Sequence, residues 1–372
     1  MSKHLHVISF DIPYPANYGG AIDVFYKLKA LHEIGIEIIL HCFEYRGNRA
    51  PELEKICKKV YYYKRNTSIL SHISFMPYTV YSRKESDLLN NLGKDDYPIL
   101  FEGLMSCYYL NHPGLANRTK LFREANIEHD YYSGLARATG SFTRKMYYSL
   151  ESLRFKAFEK KLESADVILA ISQVDGEQLK SRFPHKRVEF IPGFHSNNSV
   201  TSLPGQSDFL LYHANLSVPE NELAAIYLCE KVFSKLNYKC IVAGLKPTKR
   251  LEKIISNYPT IELIANPDEA KMAALIQDVQ VHVMVTFQGT GLKLKLLNTL
   301  FAGRHVLVNQ LMLEGSGLDK LCHISDNSTE QIKICNKLMK IPFNQSDISE
   351  REKILFPQFS NKEQAKRLSE LF

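Results

Sequence analysis

The stretch QGTGLKLKLLNTLFAGRHVLV, residues Gln288–Val308, decides the fold. Gly289 and Gly291 open it, an amphipathic segment runs from Leu292 to Phe301, and the apolar run Val306–Val308 closes it. An alternating apolar run precedes the glycines. This order predicts a strand, a glycine turn, a helix and a second strand, which together form a βαβ unit of a parallel sheet.

The glycine turn has the features of an anion site. Glycines let a ligand come close to the backbone, and the N-terminus of a helix offers unpaired N–H groups and a positive dipole end. Lys293 and Lys295 fall in the first turn, where the dipole alone favours Asp or Glu. A bound phosphate explains them. An ordinary turn with solvated lysines is the alternative.

This stretch resembles the donor-site segment of family-4 glycosyltransferases of the GT-B fold, whose pattern is G-S/T-G-x-K-x-K-x-x-E-A-M-A-x-G-x-P-V-V. The resemblance implies that a nucleotide sugar is bound by Gly289, Thr290, Gly291, Leu292 and Lys293. The Glu that typically holds the donor ribose in the family is Asn298 here, and the closing Pro is His305. Asn can accept a hydrogen bond through its amide oxygen, although without a charge.

The N-terminal region predicts a second βαβ unit. A buried strand, His4–Phe10, leads through DIPYPANYGG into a helix from Ala21 to about Ile34. G-x-G-x-x-G is missing, so a dinucleotide site is not expected. The turn instead resembles the Y/F-G-G turn that the same family places against the sugar and diphosphate, which implies donor contacts for Tyr18, Gly19 and Gly20. A plain glycine turn is the alternative.

Two further stretches carry candidate catalytic residues. Glu102 ends a predicted buried strand, where it could contact the acceptor or act as an acid–base group, or could simply be solvated. The segment KLFREANIEHDYY resembles the family's R-x-H-N-x-E segment, which implies roles for Asn126 and Glu128. The family's His is replaced by Ala125, and His129 is the candidate substitute.

Composition supports a two-domain chain of mildly basic character. The 372 residues carry a formal net charge of +7, and the seven cysteines form no C-x-x-C pair, which predicts a reduced, cytoplasmic setting. We expect no signal peptide, membrane-spanning segment or metal site. Lys246 could hold a diphosphate or be solvated. The basic amphipathic helix predicted over Phe142–Ser164 could lie on an anionic membrane at the inner face, or be solvated.

The sequence therefore predicts an α/β protein of the GT-B fold, with two Rossmann-like domains facing a cleft. Residues 1–195 form the acceptor-side domain, onto which 357–372 cross back, and residues 207–356 form the donor domain. The resemblance implies a retaining, metal-independent transfer of sugar from a UDP- or GDP-linked donor to a glycan or lipid-linked glycan, without cofactor or nucleic acid. Because Ala125 and Asn298 depart from the pattern, a catalytically weak homologue acting as a scaffold partner in glycan assembly is the alternative.

Overall fold

The computed structural model describes residues 3–45, 48–68, 70–124, 126–139, 141–287 and 294–372. The predicted glycine turn, Gly289, Thr290, Gly291, Leu292 and Lys293, lies outside the described residues, as does Ala125. The chain divides into two compact units. The first unit comprises residues 1–196 together with 359–372, and the second comprises residues 197–358.

The first unit contains a seven-stranded sheet in the order β3-β2-β1-β4-β5-β6-β7, and all of its pairings are parallel. The order reverses between β1 and β4, and in open parallel sheets ligands bind beside such a reversal, at the carboxyl ends of the strands. The strands are β1 (His4–Ser9), β2 (Glu37–Glu44), β3 (Lys59–Lys64), β4 (Ile99–Glu102), β5 (Lys120–Arg123), β6 (Val167–Ala170) and β7 (Arg187–Phe190).

The second unit contains a six-stranded parallel sheet in the order β10-β9-β8-β11-β12-β13. Here the order reverses between β8 and β11, and the predicted glycine turn follows β11 in sequence. The strands are β8 (Phe209–Asn215), β9 (Lys239–Leu245), β10 (Ile261–Ala265), β11 (Val281–Met284), β12 (His305–Val308) and β13 (His323–Ile324). Parallel pairing of β11 with β12 confirms the predicted βαβ unit.

Helices cover both sheets. In the first unit they are α1 (Gly19–Glu33), α2 (Pro51–Ile56), α3 (Leu70–Ile73), α4 (Tyr78–Tyr81), α5 (Ser86–Leu92), α6 (Glu128–Ala138), α7 (Phe142–Phe158) and α8 (Gln173–Arg182). Further along the chain come α9 (Pro219–Lys231), α10 (Lys249–Ile255), α11 (Glu269–Asp278), α12 (Leu294–Ala302), α13 (Gln310–Leu313), α14 (Ser328–Leu338), α15 (Gln345–Phe359) and α16 (Asn361–Ser369). Of these, α16 belongs to the first unit. None of the described helices is both long and apolar enough to cross a membrane.

Strand burial follows from the parallel topology. Both faces of each sheet are covered, so short strands such as β4 and β12 are buried at every position rather than alternately. The last helix, α16, packs on the first unit, where Ala365 and Leu368 share a buried cluster with Leu28 and Leu31 of α1. The helix predicted over Phe142–Ser164 is α-helical to Phe158 and continues as a 3₁₀ turn over Glu159–Ser164.

Candidate functional site

Asp11 organises the loop after β1. One of its carboxylate oxygens accepts the Ile12 N–H at 2.8 Å, and the other accepts the hydroxyl of Tyr18 at 2.7 Å. Tyr18 is the residue immediately before α1, so this hydrogen bond fixes the start of the helix. Gly20 lies against Phe10, whose ring would be only 2.7 Å from an added Cβ. Close packing against Phe10 therefore favours glycine at position 20, and contact of this turn with a ligand stays a prediction.

A buried arginine lies beneath the same loop. The Arg83 Nε–H donates to the Phe10 carbonyl at 2.8 Å, and its Nη1 donates to the Thr79 carbonyl. Burial lowers the pKa of Arg83 to about 9, so the side chain remains cationic at neutral pH. It supplies positive charge close to the carboxyl edge of the first sheet, and the sequence patterns did not single it out.

Glu102 belongs to a buried ion cluster of four residues, Asp23, Lys27, Glu102 and Arg123. Lys27 Nζ lies 2.8 Å from both Glu102 oxygens and 3.0 Å from Asp23, which also accepts the Phe194 N–H at 2.7 Å. Burial alone would raise the pKa of Asp23, but Arg123 and Lys27 hold it at about 2. The solvated alternative for Glu102 is wrong, because its side chain is buried and paired.

A second cluster, which we call the acidic cluster, consists of Glu124, Glu128 and Glu159. All three side chains are buried. The pKa of Glu124 lies well above its usual range, mainly because the side chain is buried and secondly because Glu128 is close by. Burial, and then Glu159, raise the pKa of Glu128 to about 8. Glu128 therefore carries a proton at neutral pH and can act as a hydrogen-bond donor.

The members of the acidic cluster differ in their partners. One carboxylate oxygen of Glu159 lies 2.8 Å from Nδ1 of His129, and the other accepts a hydrogen bond from Arg182. One Glu124 oxygen accepts the Asn126 N–H at 3.2 Å. The Glu128 carboxyl, which is only 4% exposed, has no hydrogen-bond partner within the described part of the chain. The Glu128 carboxyl and the half-buried side chain of Asn126 therefore stay predicted contacts to a substrate.

His129 fits a structural role better than a catalytic one. Its Nδ1 faces Glu159 at the end of α7, and its Nε2 lies 3.4 Å from Asp130 in its own helix. These contacts tie α6 to α7, and Ser152 adds a hydrogen bond to the His129 carbonyl at 2.7 Å. A catalytic role for His129 stays a prediction, as it does for Asn126, whose backbone is held by Glu124.

In the second unit, Lys295 joins α12 to the first turn of α9. Its Nζ donates to the Asn221 side chain at 3.0 Å, and the Asn221 amide donates to the Asn215 carbonyl at 3.0 Å. The ammonium also lies 5.7 Å from the centre of the Tyr212 ring. The first turn of α12 contains no acidic residue. Lys295 therefore places positive charge at the carboxyl edge of this sheet.

Asn298, which stands where the family has Glu, is already hydrogen-bonded. The Asn197 amide donates to the Asn298 side-chain oxygen at 3.1 Å. A ribose hydroxyl would have to share that oxygen or displace Asn197. Because this oxygen already accepts a hydrogen bond, we expect Asn298 to bind a ribose hydroxyl only weakly.

Lys246 adopts an unusual backbone conformation just after β9. Its φ is 50°, and its N–H donates to the side chain of Asn266, itself at φ 51°, at 2.7 Å. Non-glycine residues in this region are uncommon and are often found at functional sites. The Lys246 side chain is exposed at the same edge as Lys295.

Asn309 holds the chain that leads into the predicted glycine turn. Its side chain accepts the Thr286 N–H at 3.0 Å and donates to the Thr286 carbonyl at 2.7 Å. This double hydrogen bond joins the ends of β11 and β12 immediately before residues 288–293. Among the described residues, no group of three His, Cys, Asp or Glu side chains is arranged to hold a metal ion.

No protein-family profile matches the chain. A Klebsiella pneumoniae protein, described as an uncharacterized 44.6 kDa protein in the cps region, is 29% identical over 354 residues, which cover 89% of this chain and 87% of that protein. S. aureus TarM superposes with a TM-score of 0.71 at 12% identity, covering 100% and 99% of the two chains. Sucrose-phosphate synthase of Thermosynechococcus elongatus superposes with a TM-score of 0.67 at 14% identity, covering 99% and 98%. These neighbours are GT-B glycosyltransferases, so the chain has the GT-B fold.

Proposed function

We propose that the protein is a glycosyltransferase that moves a sugar from a UDP- or GDP-linked donor to a glycan or lipid-linked glycan acceptor, with retention and without a metal ion. The observation that carries the proposal is the match of the whole chain to GT-B enzymes, of which TarM has been solved with UDP and alpha-GlcNAc-glycerol. A cytoplasmic location belongs to the same proposal. A lipid-linked acceptor would bring the protein to the inner face of the membrane.

The donor is assigned to the predicted donor domain, residues 207–356, which falls within the second unit. Lys246 and the sequence-predicted Lys293 would face the diphosphate, together with the N–H groups of the glycine turn. Positive charge at this position stabilises the negative charge that develops on the departing nucleoside diphosphate, and this lowers the barrier to transfer. Lys295 would add positive charge from α12, where a hydrogen bond to Asn221 holds its ammonium group in place.

The acceptor is assigned to the predicted acceptor-side domain, residues 1–195, which falls within the first unit, at the carboxyl edge formed by β1, β4 and β5. Glu128 starts the helix after β5, and Tyr18, Gly19 and Gly20, which are predicted to contact the donor, follow β1 at the same edge. A protonated Glu128 would donate a hydrogen bond to a sugar oxygen. The ion cluster around Glu102 would hold α1, β4 and β5 in place rather than react.

The scaffold alternative keeps one specific observation in its favour, the hydrogen bond from Asn197 to Asn298. If that contact blocks the ribose, the chain would bind donor weakly and act as a partner in glycan assembly. The two candidate functions differ in whether the purified chain releases nucleoside diphosphate from a nucleotide sugar.

The experiment that tests the proposal measures this release from radiolabelled UDP- and GDP-sugars, with and without glycan acceptors. Lys246→Ala is the test variant and Lys253→Ala, an exposed lysine of α10, is the matched control. Wild type and Lys253→Ala should release nucleotide, and Lys246→Ala should release it at least about tenfold more slowly. If wild type releases no nucleotide from either donor class, the transferase is excluded in favour of the scaffold.

A further inference from the structure

The outer face of α7 is apolar and exposed. Phe142 is 78% exposed, Met146 64%, Leu150 47% and Leu153 66%. These residues are spaced by four, four and three positions, so they line one side of the helix. We call this set the apolar stripe. Four large apolar side chains in a row on a helix surface are more than the scattered exposure that is ordinary on proteins.

The opposite face of α7 already packs into the first unit. Phe155 and Phe158 are buried in its core. Glu151 is buried too, where it accepts the Tyr78 N–H at 2.9 Å and pairs with Arg154 at 2.7 Å. The helix is therefore held in place without the apolar stripe, which is left as a second apolar face.

A further exposed aromatic side chain lies beside this helix. Phe75 is 100% exposed. The segment that carries it is tied to α7 at both ends, because Arg154 donates to the His72 carbonyl at 3.1 Å and Glu151 accepts from Tyr78. Phe75 thus projects from a segment fixed against the flank of α7.

The exposed charged residues of α7 are all basic. Arg144, Lys145, Lys156 and Lys160 are exposed. Lys145 and Lys156, which are eleven residues or about three helical turns apart, lie along one border of the stripe, and Lys160 follows in the 3₁₀ turn after the helix. Glu151 is the one acidic residue in the sequence of α7, and it is buried and paired. An apolar stripe bordered by lysines is the pattern of helices that lie flat in the interface of anionic membranes.

We propose that α7 and Phe75 form a docking surface for an anionic lipid bilayer. The apolar stripe would enter the boundary between headgroups and acyl chains, and the lysines would contact lipid phosphates. A second copy of the chain fits less well, because a two-fold contact through this face would oppose the lysines of one copy to those of the other. The surface would bind lipid whether or not the protein transfers sugar.

The test is flotation of the full-length protein with vesicles of phosphatidylcholine, with or without phosphatidylglycerol. Wild type should float with the anionic vesicles and dissociate as salt is raised, because counterions screen the lysines. Leu150→Gln/Leu153→Gln should weaken binding by about tenfold or more. Leu203→Gln/Leu223→Gln, two exposed leucines of the second unit, is the matched control and should float like wild type. Lys145→Gln/Lys156→Gln should lose most of the salt dependence.

Three results would overturn the proposal. The first two are wild type that stays unbound to anionic vesicles and a Leu150/Leu153 variant that floats as well as wild type. Light scattering could also show that wild type is a dimer which the Leu150/Leu153 variant converts to a monomer, and then the surface would be a self-contact. Because every residue changed is exposed, equal melting temperatures are expected for all variants, and vesicle binding is read independently of nucleotide release.

Discussion

The side-chain amide of Asn197 donates a 3.1 Å hydrogen bond to the side-chain oxygen of Asn298, the position where family-4 glycosyltransferases have Glu. We predict that Asn298→Glu raises the affinity for UDP or GDP, because a carboxylate accepts a stronger hydrogen bond from a ribose hydroxyl than an amide does. About a tenfold lower dissociation constant is expected from calorimetry. Asn298→Ala should change the affinity little if Asn298 does not touch the ribose.

Lys293 is predicted to be required for transfer. Lys293→Ala should lose most activity, by about two orders of magnitude, because a positive charge beside the departing diphosphate is removed. Its melting temperature should match that of wild type. Lys253→Ala should keep full activity, as the change removes the same charge from an exposed helix of the same unit. Retained activity in Lys293→Ala would exclude this role.

The free energy of unfolding should depend on pH through Glu128, and the Glu128→Gln variant should lack this dependence. Its pKa is about 8 in the folded protein and near 4.5 when unfolded. The folded state therefore binds the proton more tightly, so this stabilisation is complete below pH 4.5 and is lost as pH rises towards 8. The loss is at most about 1.4 kcal/mol per pH unit. Urea unfolding at pH 5 and pH 8 should show a larger drop for wild type than for Glu128→Gln.

The same proton should affect activity. If Glu128 donates a hydrogen bond to substrate, wild-type activity should fall as pH rises through about 8. Glu128→Gln keeps an N–H donor that does not titrate, so its activity should continue above that pH. A wild-type profile that instead rises through pH 8 would make Glu128 a general base.

Glu102 is predicted to stabilise the fold rather than to react. Glu102→Ala leaves Lys27 buried beside Asp23 alone, and breaking a buried ion pair typically costs about 3–5 kcal/mol. Lys27→Met/Glu102→Leu should recover much of that stability, since it removes both charges together. Urea unfolding gives the comparison. If Glu102→Gln folds normally yet loses transfer activity, Glu102 would belong to the reaction after all.

The fold could be predicted from local patterns because parallel strands are short apolar runs separated by glycine-marked turns. β11, α12 and β12 lie within the quoted stretch or next to it, and their order alone specifies a βαβ unit. The turn that contains Gly20 could be predicted for the same reason, because Y-G-G is a local sequence pattern. The departure at Asn298 was visible too, since it sits at a fixed position in a motif.

The acidic cluster could not be found in this way. Its three members, Glu124, Glu128 and Glu159, lie next to or at the ends of β5, α6 and α7. Only folding brings these side chains together in one buried environment. Their raised pKa values depend on burial, which a sequence pattern does not report. Asn309 and Arg83 were missed because each acts through backbone groups of a distant segment. For α7, spacing showed an apolar face, but not that the opposite face was the one packed inside.

Thermal unfolding with UDP, GDP, ADP, TDP and CMP tests the central claim, binding of a nucleotide-sugar donor, most directly. A ligand that binds only the folded state adds about 2.7 kcal/mol at a hundred times its dissociation constant, which is visible as a higher melting temperature. We predict a clear rise with UDP or GDP and none with the other three. No rise with any nucleotide would contradict the account and leave the scaffold function in its place.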